Sequence, residues 1–212
     1  VGQFGVDTEY YIASPTDTPR HTLRWGFKLK RGYAGVREGI EAWQDVLHLQ
    51  LPGSGHYFVA MFPRQQDAPA PTFETLGDGK IINVSGEFGT DYVFLSDKET
   101  DVEAGAVRFG GRAGSVQDRK TGTLLGLGTG GSVSYGKNEL ISKTAASLRA
   151  TQDRLIVRVE TAEAPRNVRF RAPGEWVLQD GDAESRLVAE EDALQLTIAA
   201  GVERVVLVRA SD

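Results

Sequence analysis

Short segments in which apolar and polar residues alternate constrain the fold of this chain most strongly. The segments Arg154–Glu160 and 194–198 each place three aliphatic side chains on one face at a period of two. Turn sequences such as Gly77-Asp78-Gly79 and Lys120-Thr121-Gly122 separate these runs. Strands of about 4–8 residues at spacings of about 8–12 are typical of antiparallel sandwiches. We therefore predict an all-β antiparallel β-sandwich, in one or two stacked layers or subdomains, with little helix.

Composition narrows the class of protein. The chain has 212 residues, of which 40% are hydrophobic and 25% charged, and this balance predicts a well-packed globular protein. It contains no cysteine, which excludes disulfides, thiolate metal sites and a cysteine nucleophile. No apolar run approaches the roughly 18 residues that a transmembrane helix needs, so no membrane partner is expected.

One segment departs from the alternating pattern. Val36, Ile40, Trp43 and Leu47 are spaced as on one side of a helix. The following segment, Asp45–Leu51, alternates like a strand. These two patterns predict a short helix or helical turn that runs into a strand.

The Pro/Ala-rich segment 65–71 is the predicted seam of the chain. It separates an N-terminal part of a β-sandwich, residues 1–64, from a C-terminal antiparallel β-sandwich, residues 72–212. The chain starts at Val1 in strand-like sequence without a methionine. We therefore expect a fragment or a matured chain that lacks an N-terminal partner region.

The stretch 21–31, HTLRWGFKLKR, predicts a half-buried strand with one apolar and one cationic face. His21, Leu23, Trp25 and Phe27 share the apolar face. The chain has a net charge of −5, yet residues 18–37 contain no acid and six cations, Arg20, Arg24, Lys28, Lys30, Arg31 and Arg37. This local positive charge indicates either an anionic partner or protection of a strand edge. The acidic balance of the whole chain disfavours nucleic acid.

The three histidines are candidates for chemistry. His21 lies in register with the apolar face, as a core-margin residue or a catalytic one, and His56 follows a turn glycine. His48 has the parity opposite to the neighbouring leucines, so we expect it to face outward. A zinc site of His21, His48 and either Asp45 or Asp7 is conceivable. Strand parity argues against it, because the two histidines should face opposite sides.

Tyr10 and Tyr11 are adjacent and should point to opposite sides of a strand, one into the core and one outward. A tyrosine beside cations can serve in proton transfer, although packing is the simpler role. The chain has no Gly-x-Ser-x-Gly sequence, which excludes the common serine-hydrolase arrangement. The glycine-rich segment 126–131 lacks the context of a phosphate loop and predicts a turn or bulge.

Several segments together resemble the β-sandwich portion of heparinase II/III-like polysaccharide lyases. They are VDTEYYIA at 6–13, HTLRWGF at 21–27, LHLQLPG at 47–53, YFVAMFPR at 57–64 and DGKIINVSGEFGTDYVFLSDKE at 78–99. Members of that family join an N-terminal (α/α) toroid to antiparallel β-sandwich layers and cleave uronate-containing polysaccharides by β-elimination. A toroid is not present in this sequence, so the resemblance implies a helical partner domain or chain.

The resemblance also implies roles for individual residues. His21 corresponds best to the family's sandwich histidine, and Tyr10 or Tyr11 to its tyrosine, as catalytic residues. Arg24, Lys28 and Lys30 would bind the substrate, an anionic polysaccharide. No cofactor is expected, apart from the structural zinc that some members hold, whose ligands do not match cleanly here. The resemblance implies a periplasmic or secreted bacterial protein, and the isolated chain should have little activity. The alternative function is a non-catalytic carbohydrate-binding or structural β-sandwich module.

Overall fold

A computed structural model of the chain describes residues 5–13, 19–28, 41–50, 58–180, 185–190 and 193–210. All the regular structure in these residues is β-strand, as the alternating pattern predicts, and all the strand pairs are antiparallel. The strands are β1 (Val6–Ala13), β2 (Arg20–Lys28), β3 (Glu41–Leu49), β4 (Phe58–Gln65), β5 (Thr72–Leu76), β6 (Ile81–Gly86), β7 (Gly89–Ala104), β8 (Val107–Arg119), β9 (Gly122–Leu127), β10 (Gly131–Tyr135), β11 (Asn138–Ser142), β12 (Ala146–Ala150), β13 (Arg154–Val159), β14 (Arg166–Arg171), β15 (Trp176–Asp180), β16 (Arg186–Glu190), β17 (Ala193–Ile198) and β18 (Arg204–Arg209). The described part of the chain contains no helix that could span a membrane.

The chain divides into two compact units. The larger unit comprises residues 1–13 and 58–212, and the smaller unit comprises Ser14–Tyr57. The smaller unit contains the two-stranded sheet of β2 and β3. The segment 65–71, which the sequence predicts as a seam, lies inside the larger unit between β4 and β5.

One large sheet, folded over on itself, forms most of the larger unit. Its first arm runs β9-β12-β13-β18-β15 and its second arm runs β10-β11-β14-β17-β16, and β8 joins the two arms. Strands β7, β6 and β5 extend from β8 as a branch. The predicted antiparallel sandwich-like architecture is therefore confirmed.

The two arms enclose the main hydrophobic core. Leu125 and Leu148 of the first arm and Leu140 and Phe170 of the second are completely buried in one continuous cluster. The alternation in Arg154–Glu160 has the expected result, because Leu155, Val157 and Val159, which share one face, all belong to this cluster. Burial of apolar surface at about 25 cal/mol per Å² is the main stabilising contribution in such a core.

A second, smaller core lies beneath the β1–β4 pair. Ile82 and Val84 of β6 are buried, and the inward residues of β1 and β4 pack against them. Burial in β4 alternates along all eight residues, as expected for a strand with one covered face. This core fixes which faces of β1 and β4 are accessible.

The predicted helical turn is wrong where the structure describes it. Trp43 and Leu47 belong to β3, which pairs with β2 along its whole length. Val36 and Ile40 lie outside the described residues. The strand predicted from the alternation at Asp45–Leu51 is confirmed through Leu49.

Candidate functional site

Two histidines lie side by side on the β2–β3 ribbon, which consists of Arg20–Lys28 and Glu41–Leu49. The register pairs His21 directly with His48, and their ring centroids are 6.4 Å apart with an interplanar angle of 33°. Both side chains are exposed. The expectation that they face opposite sides is wrong, because directly opposed residues of an antiparallel pair share a face.

The apolar face predicted for β2 is open to solvent where it is described. Leu23, two residues after His21 on the same face, is 56% exposed. Leu47, on the other face of the ribbon, is 50% exposed. The core-margin position predicted for His21 is therefore wrong, whereas the side chains of Trp25 and Phe27 on the same face lie outside the described residues. The physical reason is that β2 pairs only with β3 in a two-stranded sheet, and no buried cluster includes its described side chains.

The cationic face of β2 is opposed by acidic positions on β3. Arg24 is exposed and pairs in register with Asp45, and Lys28 pairs with Glu41. The local excess of positive charge is therefore smaller in the ribbon than in the sequence of β2 alone. Lys30 and the side chain of Lys28 lie outside the described residues.

The two candidate tyrosines lie on opposite sides of β1, as predicted. Tyr11 points into the smaller core, where its ring stacks on Phe73 at 5.1 Å and its hydroxyl shares a 2.6 Å hydrogen bond with Thr75. Tyr10 is 62% exposed, opposite Met61, which is 67% exposed. Tyr11 therefore packs and Tyr10 is available to a partner. Both belong to the larger unit, whereas His21 belongs to the smaller one.

The described residues do not assemble the zinc site considered above. They contain no group of three or more potential ligands, whereas zinc needs three or four. Asp45 has the parity opposite to that of His48 along β3, so it belongs to the other face of the ribbon. Asp7 belongs to the larger unit and forms an ion pair with Arg64, at 3.5 Å between Oδ2 and Nη2.

A hydrogen-bonded phenol cluster lies elsewhere in the larger unit. Tyr135 donates to Oδ2 of Asp118 at 3.0 Å, and the rings of Tyr135 and Tyr92 are 5.8 Å apart. Burial, the hydrogen bond to Asp118 and its negative charge together raise the pKa of Tyr135 to about 12. Burial and the charges of Asp118 and Glu74 also raise the pKa of Tyr92. These phenols hold their protons more firmly than an ordinary tyrosine, so the phenolate that could act as a base is even less populated at neutral pH.

The sequence did not single out the pairing of His21 with His48. One available signal is charge, since a single antiparallel register aligns Arg24 with Asp45 and Lys28 with Glu41. The same register aligns the two histidines. Comparison with protein-family models and with curated proteins finds no match to this chain.

Proposed function

We propose that this chain is the β-sandwich portion of a carbohydrate-active enzyme that cleaves a uronate-containing polysaccharide by β-elimination. The observation that supports this most is the exposed pair of imidazoles, His21 and His48, 6.4 Å apart on one face of the ribbon. Imidazole gains and loses a proton near neutral pH, as a group that must take up and return protons requires. The resemblance of segments 6–13, 21–27 and 78–99 to lyase sandwiches agrees with it.

The proposed reaction needs one proton acceptor and one proton donor. His21, or His48 beside it, takes the proton from C5 of the uronate, and the electron pair of that bond forms a double bond between C4 and C5. The bond from C4 to the glycosidic oxygen breaks, and that oxygen receives a proton. A cation close to the uronate carboxylate lowers the cost of the negative charge that develops there.

The remaining candidates have separate roles in this proposal. Strand parity puts Arg24 on the ribbon face opposite to His21, so Arg24 would bind the polymer away from the reacting sugar, with Lys28 and Lys30. Asp45, in register with Arg24, lowers the net positive charge of the strand pair. An N-terminal helical domain or chain would supply the other wall of the cleft. The isolated chain should therefore have little activity.

Replacing each histidine separately tests the proposal. The experiment uses the full-length natural protein. There, His21→Ala should lower the rate at which unsaturated, ultraviolet-absorbing products form by roughly 10²-fold or more, the usual contribution of acid–base catalysis. His48→Ala is the matched control, because it removes the imidazole directly across the ribbon. It should retain more activity than His21→Ala. Larger loss in His48→Ala would move the role to His48, and full activity in both variants would refute the proposal.

The second candidate function is a module that binds glycan without catalysis. The observation that favours it is the exposed side of the β1–β4 pair, where Tyr10 and Met61 form an apolar surface on which a sugar ring could stack. Such a module predicts that the natural protein forms no unsaturated products while it still binds the polysaccharide. The same measurement therefore distinguishes the two functions.

A further inference from the structure

A cleft of about 500 Å³ opens at one end of the large sheet in the larger unit. It is bounded by the β8–β9 turn at Lys120-Thr121, the β12–β13 turn at 151–153 and the segment 172–176 that leads into β15. Its volume is within the range of about 300–1,000 Å³ typical of small-molecule sites. The described residues that line it all belong to the larger unit.

The side chain of Arg209 is held in place at this cleft. Its guanidinium lies over the ring of Trp176, 5.2 Å from the centroid, and its Nε donates to the carbonyl oxygen of Gln152 at 2.6 Å. Gly174 has a φ of +108°, and a Cβ there would lie 2.9 Å from Nη1 of Arg209. Trp176 is only 7% exposed, so it is a rigid base for the guanidinium. An arginine fixed in this way loses little entropy on binding a ligand.

Arg209 has no carboxylate partner among the described residues. Its two Nη donors are therefore available in a fork geometry that matches a carboxylate. The indole Nε1 of Trp176 is also buried without a hydrogen-bond partner. The Nη donors of Arg209 can therefore reach a ligand in the cleft, whereas the indole Nε1 is shielded from solvent.

The other lining residues give the cleft a positive balance. Lys120 is exposed at its edge, and Arg119 is held by an ion pair with Asp91 at 2.6 Å. Asp153 is the one acid that lines the described cleft, and its Oδ1 accepts a hydrogen bond from Thr151. Neutral hydroxyl and amide groups from Thr121, Asn138 and Gln152 also line the cleft. Such groups suit the hydroxyls of a sugar, and the cations suit an acidic one.

We propose that this cleft is an accessory binding site for a uronic-acid residue of an anionic oligosaccharide, with Arg209 bound to the sugar carboxylate. The choice of a uronate as the ligand rests on the function proposed above. The site itself rests on Arg209, Trp176 and Lys120, which are independent of the ribbon. It binds substrate and takes no part in the elimination.

The test measures the affinity of the full chain for a uronic-acid trisaccharide by calorimetric titration. The chain has three tryptophans, so Trp25→Phe and Trp43→Phe together leave Trp176 as the only indole. The fluorescence of Trp176 then reports on binding in the cleft.

Arg209→Gln should weaken binding of the trisaccharide at least tenfold, the loss expected for a charge-assisted hydrogen bond. Lys120→Gln, at an exposed position outside the core, should weaken it about threefold without any effect on folding. Arg204→Gln, on the same strand but away from the cleft, is the matched control and should bind normally.

The outcomes separate the cleft from the ribbon. A saturable change in Trp176 fluorescence that disappears in Arg209→Gln supports the proposal, and so does a weaker effect of an uncharged trisaccharide. Unchanged affinity in both Arg209→Gln and Lys120→Gln overturns it. If affinity is lost only in Arg24→Gln, the uronate binds at the ribbon, which overturns the cleft but agrees with the proposed function. Loss in Arg209→Gln together with full activity in both histidine variants would support the cleft and refute the elimination.

Discussion

The carboxylate of Asp118 connects side chains from neighbouring strands of the sheet. Its Oδ1 accepts a hydrogen bond from Thr123 of β9 at 3.2 Å, and its Oδ2 accepts one from Tyr135 of β10 at 3.0 Å. Strands β9 and β10 begin the two arms of the sheet, so Asp118 links the two arms. A hydrogen bond to a charged acceptor is worth about 1.5–3 kcal/mol when it is sheltered from water.

This cluster predicts a loss of stability at alkaline pH. The folded state raises the pKa of Tyr135 from an ordinary 10.0 to about 12, so between these values the unfolded chain has lost a proton that the folded chain retains. The stabilisation from this phenol is complete below pH 10 and disappears as the pH rises towards 12. We expect Tyr135→Phe to have a flatter dependence of unfolding free energy on pH in this window, measured by urea denaturation.

Tyr10→Phe is the matched control for that measurement. Tyr10 is 62% exposed and its removal should leave the alkaline dependence as it is in the parent chain. An equally steep dependence in Tyr135→Phe and in the parent chain would contradict the assignment.

At the scale of strands, the junction between β8 and β10 requires a very close approach of two backbones. Gly131 begins β10 opposite Gly111, and a Cβ on Gly131 would lie 2.1 Å from the carbonyl oxygen of Gly110. Gly131 also has a φ of +147°, which side-chain-bearing residues rarely adopt. Strand β8 pairs with β10 through its first half and with β9 through its second, so this junction is where the sheet passes from one arm to the other.

Gly131→Ala should therefore destabilise the chain far more than an equivalent change at an open turn. Gly136 also has a positive φ, +58°, but a Cβ there would meet nothing within 4 Å. Gly136→Ala should cost about 1–2 kcal/mol from backbone strain alone. Gly131→Ala should cost about 1–3 kcal/mol more, because the added methyl also collides with the backbone of β8. Equal unfolding free energies for the two variants would show that β10 can move away from β8.

A strand can be predicted from the sequence where only one of its faces is buried. The prediction fails where the spacing of the apolar residues fits a helix as well as a strand. Leu155, Val157 and Val159 predict β13 because a period of two places all three in the core. Trp43 and Leu47 are four residues apart, a spacing that shares a face in a helix and equally in a strand. Only the pairing with β2, a contact between distant residues, selects the strand.

The candidate site could be predicted only in part, because its residues come together through pairing between strands. The sequence identifies His21 as a residue capable of proton transfer, but parity within one strand says nothing about the strand that lies opposite. The pairing of His21 with His48 depends on register, which follows from the hairpin as a whole. No sequence motif connects Arg209 with Trp176. They lie together because they are directly opposed residues of β18 and β15.

At the scale of the whole molecule, the smaller unit is an insertion between β1 and β4. The larger unit contains residues before and after it, and both of the buried clusters lie in the larger unit. The sequence predicts a seam at 65–71 from the proline content of that segment. Composition of this kind can mark one boundary along the chain. An inserted unit has two boundaries, at 13/14 and 57/58 here, and only contacts between β1 and β4 show that they meet.

The insertion should be removable without unfolding the rest. Ala13 and Phe58 are directly opposed in the β1–β4 register, so a four-residue glycine-rich turn can join them in place of residues 14–57. The shortened chain keeps both buried clusters, and we expect one cooperative unfolding transition, measured by the fluorescence of Trp176, its only remaining tryptophan. It also keeps the residues that line the Arg209 cleft, so it should still bind the uronic-acid trisaccharide. A shortened chain without a cooperative transition would show that the ribbon is needed for the stability of the sandwich, because the two cores alone would then be insufficient.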